Sequence, residues 1–86
     1  MKKTISYPAT FILDNQEGGY VVNFPDLPGC ITQGDSYKET IEMAKEALNL
    51  YLEDDLDNVK KPSTYKEVLK SFPNGLIVFI DYEYEE

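Results

Sequence analysis

Carboxylates are the most abundant side chains in this sequence that could carry out chemistry. The densest group lies within residues 53–57 (Glu-Asp-Asp-Leu-Asp), and such a group could bind Mg²⁺ or supply a general acid and base. It lacks the D-x-[DN]-x-[DN]-G pattern of a calcium loop. It also falls at the end of a predicted helix, where negative charge opposes the helix dipole at a cost of about 0.3–1 kcal/mol. We therefore interpret Glu53, Asp54 and Asp55 either as a solvated helix end or as a contact surface for a basic partner.

Most other catalytic and metal sites require His or Cys, and this sequence has almost none of either. The sequence has no His and one Cys, Cys30. The lack of His removes the commonest acid or base at neutral pH and excludes zinc sites of the usual nitrogen–sulfur type. It also excludes Cys–His and Ser–His nucleophilic pairs. We expect no catalytic residue, no metal and no cofactor, and we expect Cys30 to be a buried, unreactive thiol.

Net charge narrows the range of partners. Sixteen acidic residues against eight basic ones give a formal charge of −8. A field of that sign repels nucleic acid and anionic lipid and favours encounter with a basic protein, although it also serves solubility. The N-terminus lacks the apolar segment of a signal peptide, and no run approaches the length of a membrane span. We expect one cytoplasmic domain that covers residues 1–86.

Two aromatic side chains near the C-terminus, Tyr82 and Tyr84, have two interpretations. They could form an exposed anchor pair for a partner, because Tyr is enriched in binding hot spots. They could equally extend the core face of the last strand, which Leu76, Val78 and Ile80 begin. The alternate positions of this segment are acidic and would protect a sheet edge from unwanted pairing.

Three strands are predicted in the first part of the chain. Every odd position from Ile5 to Leu13 is apolar or aromatic, which is typical of a strand with one buried face. Pro8 cannot donate a ladder hydrogen bond, so we expect that part of the strand to lie at a sheet edge. A turn at 14–19 leads into a second strand over 20–24, and a short third strand is predicted over 30–33.

Two helices and a last strand follow. Ser36 and Glu39 have the spacing of a capping box, and apolar residues then recur at three- and four-residue steps to about Asp54. Thr64 and Glu67 repeat that spacing ahead of a shorter helix, which the segment 73–75 (Pro-Asn-Gly) ends. The segment 76–80 is apolar on both faces, which predicts a strand in the middle of a sheet or covered on both sides. The predicted fold is α+β, in the order β-β-β-α-(α)-β, with an antiparallel-rich sheet and one main helix packed on one face.

Several strings in the chain, taken together, resemble the N-terminal, toxin-neutralising domain of HicB-family antitoxins. The resemblance covers residues 3 to about 82 and depends most on the combined string FPDLPGC-x-TQGD-S. The strings that carry it are Tyr7-Pro8-Ala9, Gly18-Gly19-Tyr20, Phe24-Pro25-Asp26-Leu27-Pro28-Gly29-Cys30, Thr32-Gln33-Gly34-Asp35-Ser36, Ala44-Lys45-Glu46-Ala47-Leu48 and Pro62-Ser63.

The resemblance implies a prokaryotic antitoxin that binds a small, basic HicA-type toxin and blocks its mRNA-cleaving activity. It also implies a domain likened to a partial ribonuclease H fold, and family members form dimers or larger assemblies, so we expect a homo-oligomer. The candidate partner-binding residues are Asp26, Glu53, Asp54, Asp55, Tyr82 and Tyr84.

Two alternative functions remain beside this one. A divergent carboxylate- and Mg²⁺-dependent nuclease is disfavoured, because ribonuclease H chemistry needs a carboxylate in the middle of the first strand, where this chain has Ala9-Thr10-Phe11. A transcriptional autoregulator would act through the DNA-binding segment that many family members carry at the C-terminus. The sequence to Glu86 contains no such basic segment, so we expect no DNA-binding domain and no direct nucleic-acid binding by these residues.

Overall fold

The structure is a computed structural model that describes residues 1–53 and 61–85. Its elements follow the predicted order and confirm the α+β class. They are β1 (Lys2–Leu13), β2 (Tyr20–Asn23), β3 (Ile31–Gly34), α1 (Tyr37–Glu53), α2 (Tyr65–Ser71) and β4 (Leu76–Glu85).

The four strands form one antiparallel sheet in the order β3-β2-β1-β4. The β1–β4 ladder is the longest and runs from the Lys2–Glu85 pair to the Phe11–Leu76 pair. The β1–β2 ladder begins only at Thr10. Among the described residues, β1 therefore has a neighbour on one side only at Pro8, which confirms the edge that was predicted there.

The position of β4 corrects one prediction. Its apolar first half indicated a strand in the middle of the sheet or covered on both sides, but β4 is an edge strand and both Leu76 and Phe79 are exposed. The apolar pattern of residues 76–80 was misleading because only some of these side chains are buried. Ile80 is buried beneath α1, whereas the exposed apolar side chains lie along an open edge.

The main core lies between the sheet and α1. The odd positions of β1 point to this face, and Tyr7, Ala9 and Phe11 are buried there against Ala44 and Leu48 of α1. The predicted helix stripe is thus the buried side of α1.

Aromatic side chains close the end of this core at the start of α1. The Phe11, Tyr20 and Tyr37 rings contact one another with centroid separations of 5.9–6.2 Å. Offset or edge-on pairs at this distance stabilise a core beyond the area that they bury.

The second helix covers the other face of the sheet. Pro8 and Thr10 point away from α1, since side chains alternate along a strand, yet both are buried. Helix α2 contacts β4, and its buried Val68 lies outside the core cluster beneath α1. The centre of the sheet is therefore covered on both faces, by a long helix and by a short one.

Both predicted helix starts are present, one of them in altered form. At α2, Thr64 and Glu67 form a complete capping box. At α1, the Glu39 backbone N–H donates to the Ser36 hydroxyl over 3.1 Å, but the Glu39 carboxylate accepts from the backbone N–H of Asp35 instead of that of Ser36. Each arrangement satisfies backbone N–H groups that a helix leaves unpaired in its first turn.

The single thiol is buried in the core, as the sequence predicted. Cys30 donates to the backbone carbonyl of Ala47 over 3.7 Å, and burial raises its pKa to about 11. We expect the native protein to react with a thiol reagent at pH 8 orders of magnitude more slowly than the urea-unfolded chain, because only the thiolate is nucleophilic. Absorbance of a released chromophoric thiol measures both rates, and equal rates would contradict the buried position.

Candidate partner-binding surfaces

Asp26 lies in the loop between β2 and β3 and holds a distant part of the chain. Its carboxylate accepts from the Ser63 backbone N–H over 2.7 Å and from the Ser63 hydroxyl over 2.5 Å. Both oxygens of this half-buried side chain are thereby engaged within the chain. Asp26, a predicted partner-binding residue, thus fixes the segment that enters α2.

The rest of that loop is closed on itself. The backbone N–H groups of Phe24, Leu27 and Cys30 donate to carbonyls within the loop, over 3.0–3.2 Å. The Tyr51 hydroxyl of α1 donates to the Pro28 carbonyl over 3.1 Å. The proline-rich string is therefore a rigid connection against which both α1 and the start of α2 are positioned.

Tyr82 and Tyr84 lie on the α1 side of the sheet. Tyr82 is only 8% exposed and belongs to the core, while Tyr84 is half-buried and packs against it. Their rings stack with centroids 6.0 Å apart. Of the two interpretations, the extension of the core face describes Tyr82.

The Tyr7 phenol lies near this pair and near Asp26. Burial raises its pKa, and the charges of Asp26 and Tyr84 raise it further. Deprotonation of Tyr7 would place a second negative charge beside Asp26, so the phenol keeps its proton at neutral pH.

Glu53 lies on the outward side of α1, where acidic residues line up. Helical geometry places Glu39, Glu46 and Glu53 on one line, with Glu42 beside it, opposite the buried Ala44 and Leu48. We call these four exposed residues the acidic ridge. Within residues 1–53 and 61–85, Glu42, Glu46 and Glu53 form no ion pair.

The acidic residues of β4 differ from the ridge because each has a partner at the paired end of the chain, and for two of them that partner is positively charged. Glu83 forms an ion pair with Lys2 over 2.9 Å, and Glu85 lies 3.8 Å from the N-terminal amine. Asp81 accepts from the Ser6 hydroxyl. The acidic ridge is therefore a surface where several carboxylates lie together without a basic partner among the described residues.

An apolar surface adjoins the ridge on the β3 side. Leu50 is 60% exposed and Ile31 is 62% exposed, and Met43 and Ala47 lie half-buried between them. These four residues, which we call the apolar shelf, line a depression of about 220 Å³ together with Thr32 and Glu46. An apolar centre beside a charged rim is the usual composition of a protein–protein contact surface.

The sequence interpretation missed Leu50 and Ile31. One signal was available for Leu50, because it is a large apolar residue on α1 that falls off the buried stripe. Ile31 gave no such signal, since a strand of four residues has too few positions to show alternation. Asp54 and Asp55, both predicted partner-binding residues, lie outside the described residues.

Among residues 1–53 and 61–85, no three His, Cys, Asp or Glu side chains are grouped so that they could hold a metal ion. No helix in this part of the chain combines the length and the apolar character needed to cross a membrane.

Solved structures define the class of protein to which this fold belongs. The crystal structure of the Burkholderia pseudomallei antitoxin HicB matches 88% of this chain and 61% of its own, with a TM-score of 0.77 at 21% identity. A HicA3 and HicB3 toxin–antitoxin complex matches 88% of this chain and 95% of the matched chain, with a TM-score of 0.58 at 26% identity. The fold is that of HicB antitoxin domains.

Sequence comparison then gives the family. The family model described as the HicB-like antitoxin of bacterial toxin–antitoxin systems matches residues 7–83. The chain belongs to this family, as its sequence motifs indicated.

Among curated relatives, the Antitoxin HicB 2 of Photorhabdus laumondii is 36% identical over 80 residues, which cover 88% of this chain and 55% of that protein. The Antitoxin HicB of Escherichia coli strain K12 is 44% identical over 52 residues, which cover 56% of this chain and 37% of that protein. The chain thus spans between about a third and just over half of the curated antitoxins that it matches.

Proposed function

We propose that this chain is an antitoxin that binds and neutralises a HicA-type, mRNA-cleaving toxin. The observation that carries the proposal is the family match over residues 7–83. A related fold that was solved in a complex named for HicA3 and HicB3, at 26% identity, supports the type of partner. We place the protein in the cytoplasm, where such a toxin would meet mRNA.

The chain acts by binding and performs no reaction of its own. It has no His, and its single thiol is buried with a pKa of about 11. To neutralise the toxin, the chain would then need only to cover the basic RNA-binding surface of the toxin. The net charge of −8 favours encounter with such a surface.

We place the toxin contact on the acidic ridge and the apolar shelf. Unpaired carboxylates accelerate encounter with a basic partner, whereas an apolar anchor that loses water on binding slows dissociation. Glu46 lies on both surfaces, since it belongs to the ridge and lines the depression of the shelf. Glu53 ends the ridge, and Asp54 and Asp55 follow it in the sequence.

Reversing one ridge charge tests the electrostatic part of this proposal. We expect Glu46→Lys to slow association with the purified toxin several-fold at low salt and to weaken the salt dependence, because steering acts mainly on the association rate. Surface plasmon resonance at two salt concentrations measures both effects. Glu17→Lys, at the exposed hairpin between β1 and β2, makes the same charge change away from the ridge and should leave the rate near its original value.

Truncating the apolar anchor tests the shelf. We expect Leu50→Ser to weaken toxin affinity about tenfold, mainly through faster dissociation. Leu13→Ser is a matched control, because Leu13 is 58% exposed and Leu50 is 60% exposed. Equal effects of the two variants would argue against the shelf.

Rescue of growth tests the function itself. Co-expression of the chain with the HicA-type protein encoded beside its gene should restore growth to cells that the toxin alone arrests. Arrested growth despite a soluble, folded chain would contradict the proposed function.

A further inference from the structure

Helix α1 carries a second apolar stripe beside the one that is buried against the sheet. Met43, Ala47 and Leu50 follow one another at steps of four and three residues. This is the spacing of the contact positions in a coiled coil, where apolar residues recur about every 3.5 residues. The buried stripe, with Ala44 and Leu48, points into the core instead. The second stripe is therefore available to a helix outside this chain.

The depression of the apolar shelf has the form that receives a side chain from a facing helix. Its α1 wall consists of Met43, Glu46, Ala47 and Leu50, which are positions i, i+3, i+4 and i+7 of the helix. Four residues in this arrangement form the hole into which one apolar side chain inserts when helices pack as in a coiled coil. The strand β3 closes the other side, and the volume is about 220 Å³.

Three carboxylates of the acidic ridge accompany the second stripe at the same period. Glu39, Glu46 and Glu53 are seven residues apart, which corresponds to about 10.5 Å along the helix axis. In the heptad that the second stripe defines, all three occupy the g position. Charged residues at this position lie beside the contact stripe and select the partner helix. A helix that fits would therefore carry Lys or Arg at the same interval.

We propose that the toxin docks a helix along α1, with an apolar side chain in the depression and basic residues one heptad apart beside the acidic ridge. This inference rests on the proposed function, because it names the element of the toxin that occupies the surface assigned to it. Packing of this type sets the two helix axes at about 20° to each other.

The interval between the carboxylates favours a helix over a strand as the docked element. Side chains on one face of a strand are about 6.6–6.8 Å apart, or twice that, and neither value matches about 10.5 Å. A docked strand would also need a backbone edge to pair with. The edge beside the depression is β3, which is only four residues long.

The charges on α1 argue against a second copy of this chain as the occupant. The α1 helix of a second copy would bring carboxylates against carboxylates, and like charges in contact cost several kcal/mol. Its α2 helix has seven residues, with Lys66 and Lys70 about 6 Å apart along the axis, so it reaches only one carboxylate of the row. A basic helix from another protein fits the site.

Charge reversal at two neighbouring ridge positions tests the proposed contact. Glu46→Lys and Glu42→Lys should slow association of the purified toxin alike, because steering depends on the summed charge. Only Glu46→Lys should also accelerate dissociation several-fold, since Glu46 lines the depression and Glu42 does not. Surface plasmon resonance measures both rates. Equal dissociation rates from the two variants would overturn the inference.

A designed peptide tests the shape of the site without the toxin. The probe has about three heptads, with Leu at the two apolar positions and Lys at the flanking ones, so that its own charges keep it from pairing with itself. The control peptide has the same composition with its Leu residues at alternate positions, the period of a strand. We expect the heptad peptide to bind roughly tenfold tighter or more in fluorescence anisotropy and to gain helical circular dichroism on binding.

Variants of the chain locate the bound peptide. Glu46→Lys and Leu50→Ser should each weaken binding of the heptad peptide several-fold, because they remove a flanking charge and one wall of the depression. Glu17→Lys and Leu13→Ser, at exposed positions away from α1, should leave it near the original value.

The two sets of measurements separate this inference from the proposed function. A chain that binds the heptad peptide through Glu46 and Leu50 but does not bind the toxin would contradict the proposed function and support a site for a basic helix. Toxin binding together with equal affinities for the two peptides would overturn the inference, because only charge would then attract the peptides, and would leave the proposed function standing.

Discussion

Replacing Gly34 with Ala should lower the free energy of unfolding by about 3 kcal/mol, because this site has no room for a Cβ atom. A Cβ at Gly34 would lie 2.5 Å from the Thr40 hydroxyl oxygen and 2.7 Å from the Thr40 backbone N and Cα. Backbone atoms of a helix cannot move aside individually. The first turn of α1 would therefore have to shift away from the end of β3.

The expected loss is large for a chain of this length. Domains are stable by roughly 0.05–0.15 kcal/mol per residue, which corresponds to about 4–13 kcal/mol here. The hydroxyl of Thr40 is itself bonded to the Ser36 carbonyl over 2.5 Å, so a shift at Gly34 also disturbs the start of α1. Urea unfolding followed by circular dichroism measures the change at constant slope.

Gly75→Ala is the matched control for this prediction. A Cβ at Gly75 would meet Phe72 atoms at 3.6 Å, which is ordinary contact, and the residue does not have a positive φ. We expect its stability to change by no more than about 1 kcal/mol. The unfolded chain favours Ala over Gly, so it cannot cause a loss in either variant. Equal losses in the two variants would contradict a loss that comes from the close approach of β3 and α1 at Gly34.

The sequence was most informative where local chemistry determines structure. The capping box of Thr64 and Glu67 and the apolar stripe of α1 depend on neighbours within a few residues, and both were predicted correctly. The effect of Pro8 was also predicted, because a missing N–H constrains the local ladder wherever the strand lies.

The features that depend on distant contacts were not predictable in this way. An apolar run of five residues can form a central strand or an edge strand, and its sequence does not distinguish the two. The position of β4 at the edge of the sheet could therefore not be derived from residues 76–80. The bond from Ser63 to Asp26 joins positions 37 apart, and neither residue signals the other. The candidate surface was located only in part. Glu53 was named from the sequence, but the rest of the surface comes from other turns of α1, such as Glu46 and Leu50, and from Ile31 of β3.

We expect Asp26→Ala to destabilise the protein by about 2 kcal/mol through a contact within the chain. The substitution removes the acceptor for two donors of Ser63 and leaves a backbone N–H unpaired in a half-buried site, which costs more than the loss of an exposed hydrogen bond. Asp26→Asn should lose about half as much, since it keeps one acceptor oxygen.

Asp14→Ala is the control for the loss of a carboxylate. Asp14 also accepts from two backbone N–H groups, those of Gln16 and Glu17, but it does so in an exposed turn two and three residues away. We expect a loss of about 0.5–1 kcal/mol there, because water can replace the carboxylate at these donors. The difference between the two losses in unfolding free energy measures how much more a half-buried contact between distant segments contributes than an exposed local one.

Hydrogen exchange distinguishes an anchor from a partner contact at Asp26. If the carboxylate holds the entry to α2, Asp26→Ala should accelerate exchange of the Ser63 and Val68 amides while Leu48 in α1 stays protected, since loss of one local contact opens only the segment that it secures. The toxin affinity of the folded variant should then equal that of the wild type. Unchanged exchange at α2 together with lost affinity would instead make Asp26 a direct contact with the toxin. In that case Asp26 would have to exchange its hydrogen bonds to Ser63 for a contact with the toxin. The proline-rich loop that carries Asp26 would then be part of the toxin-binding surface, together with α1.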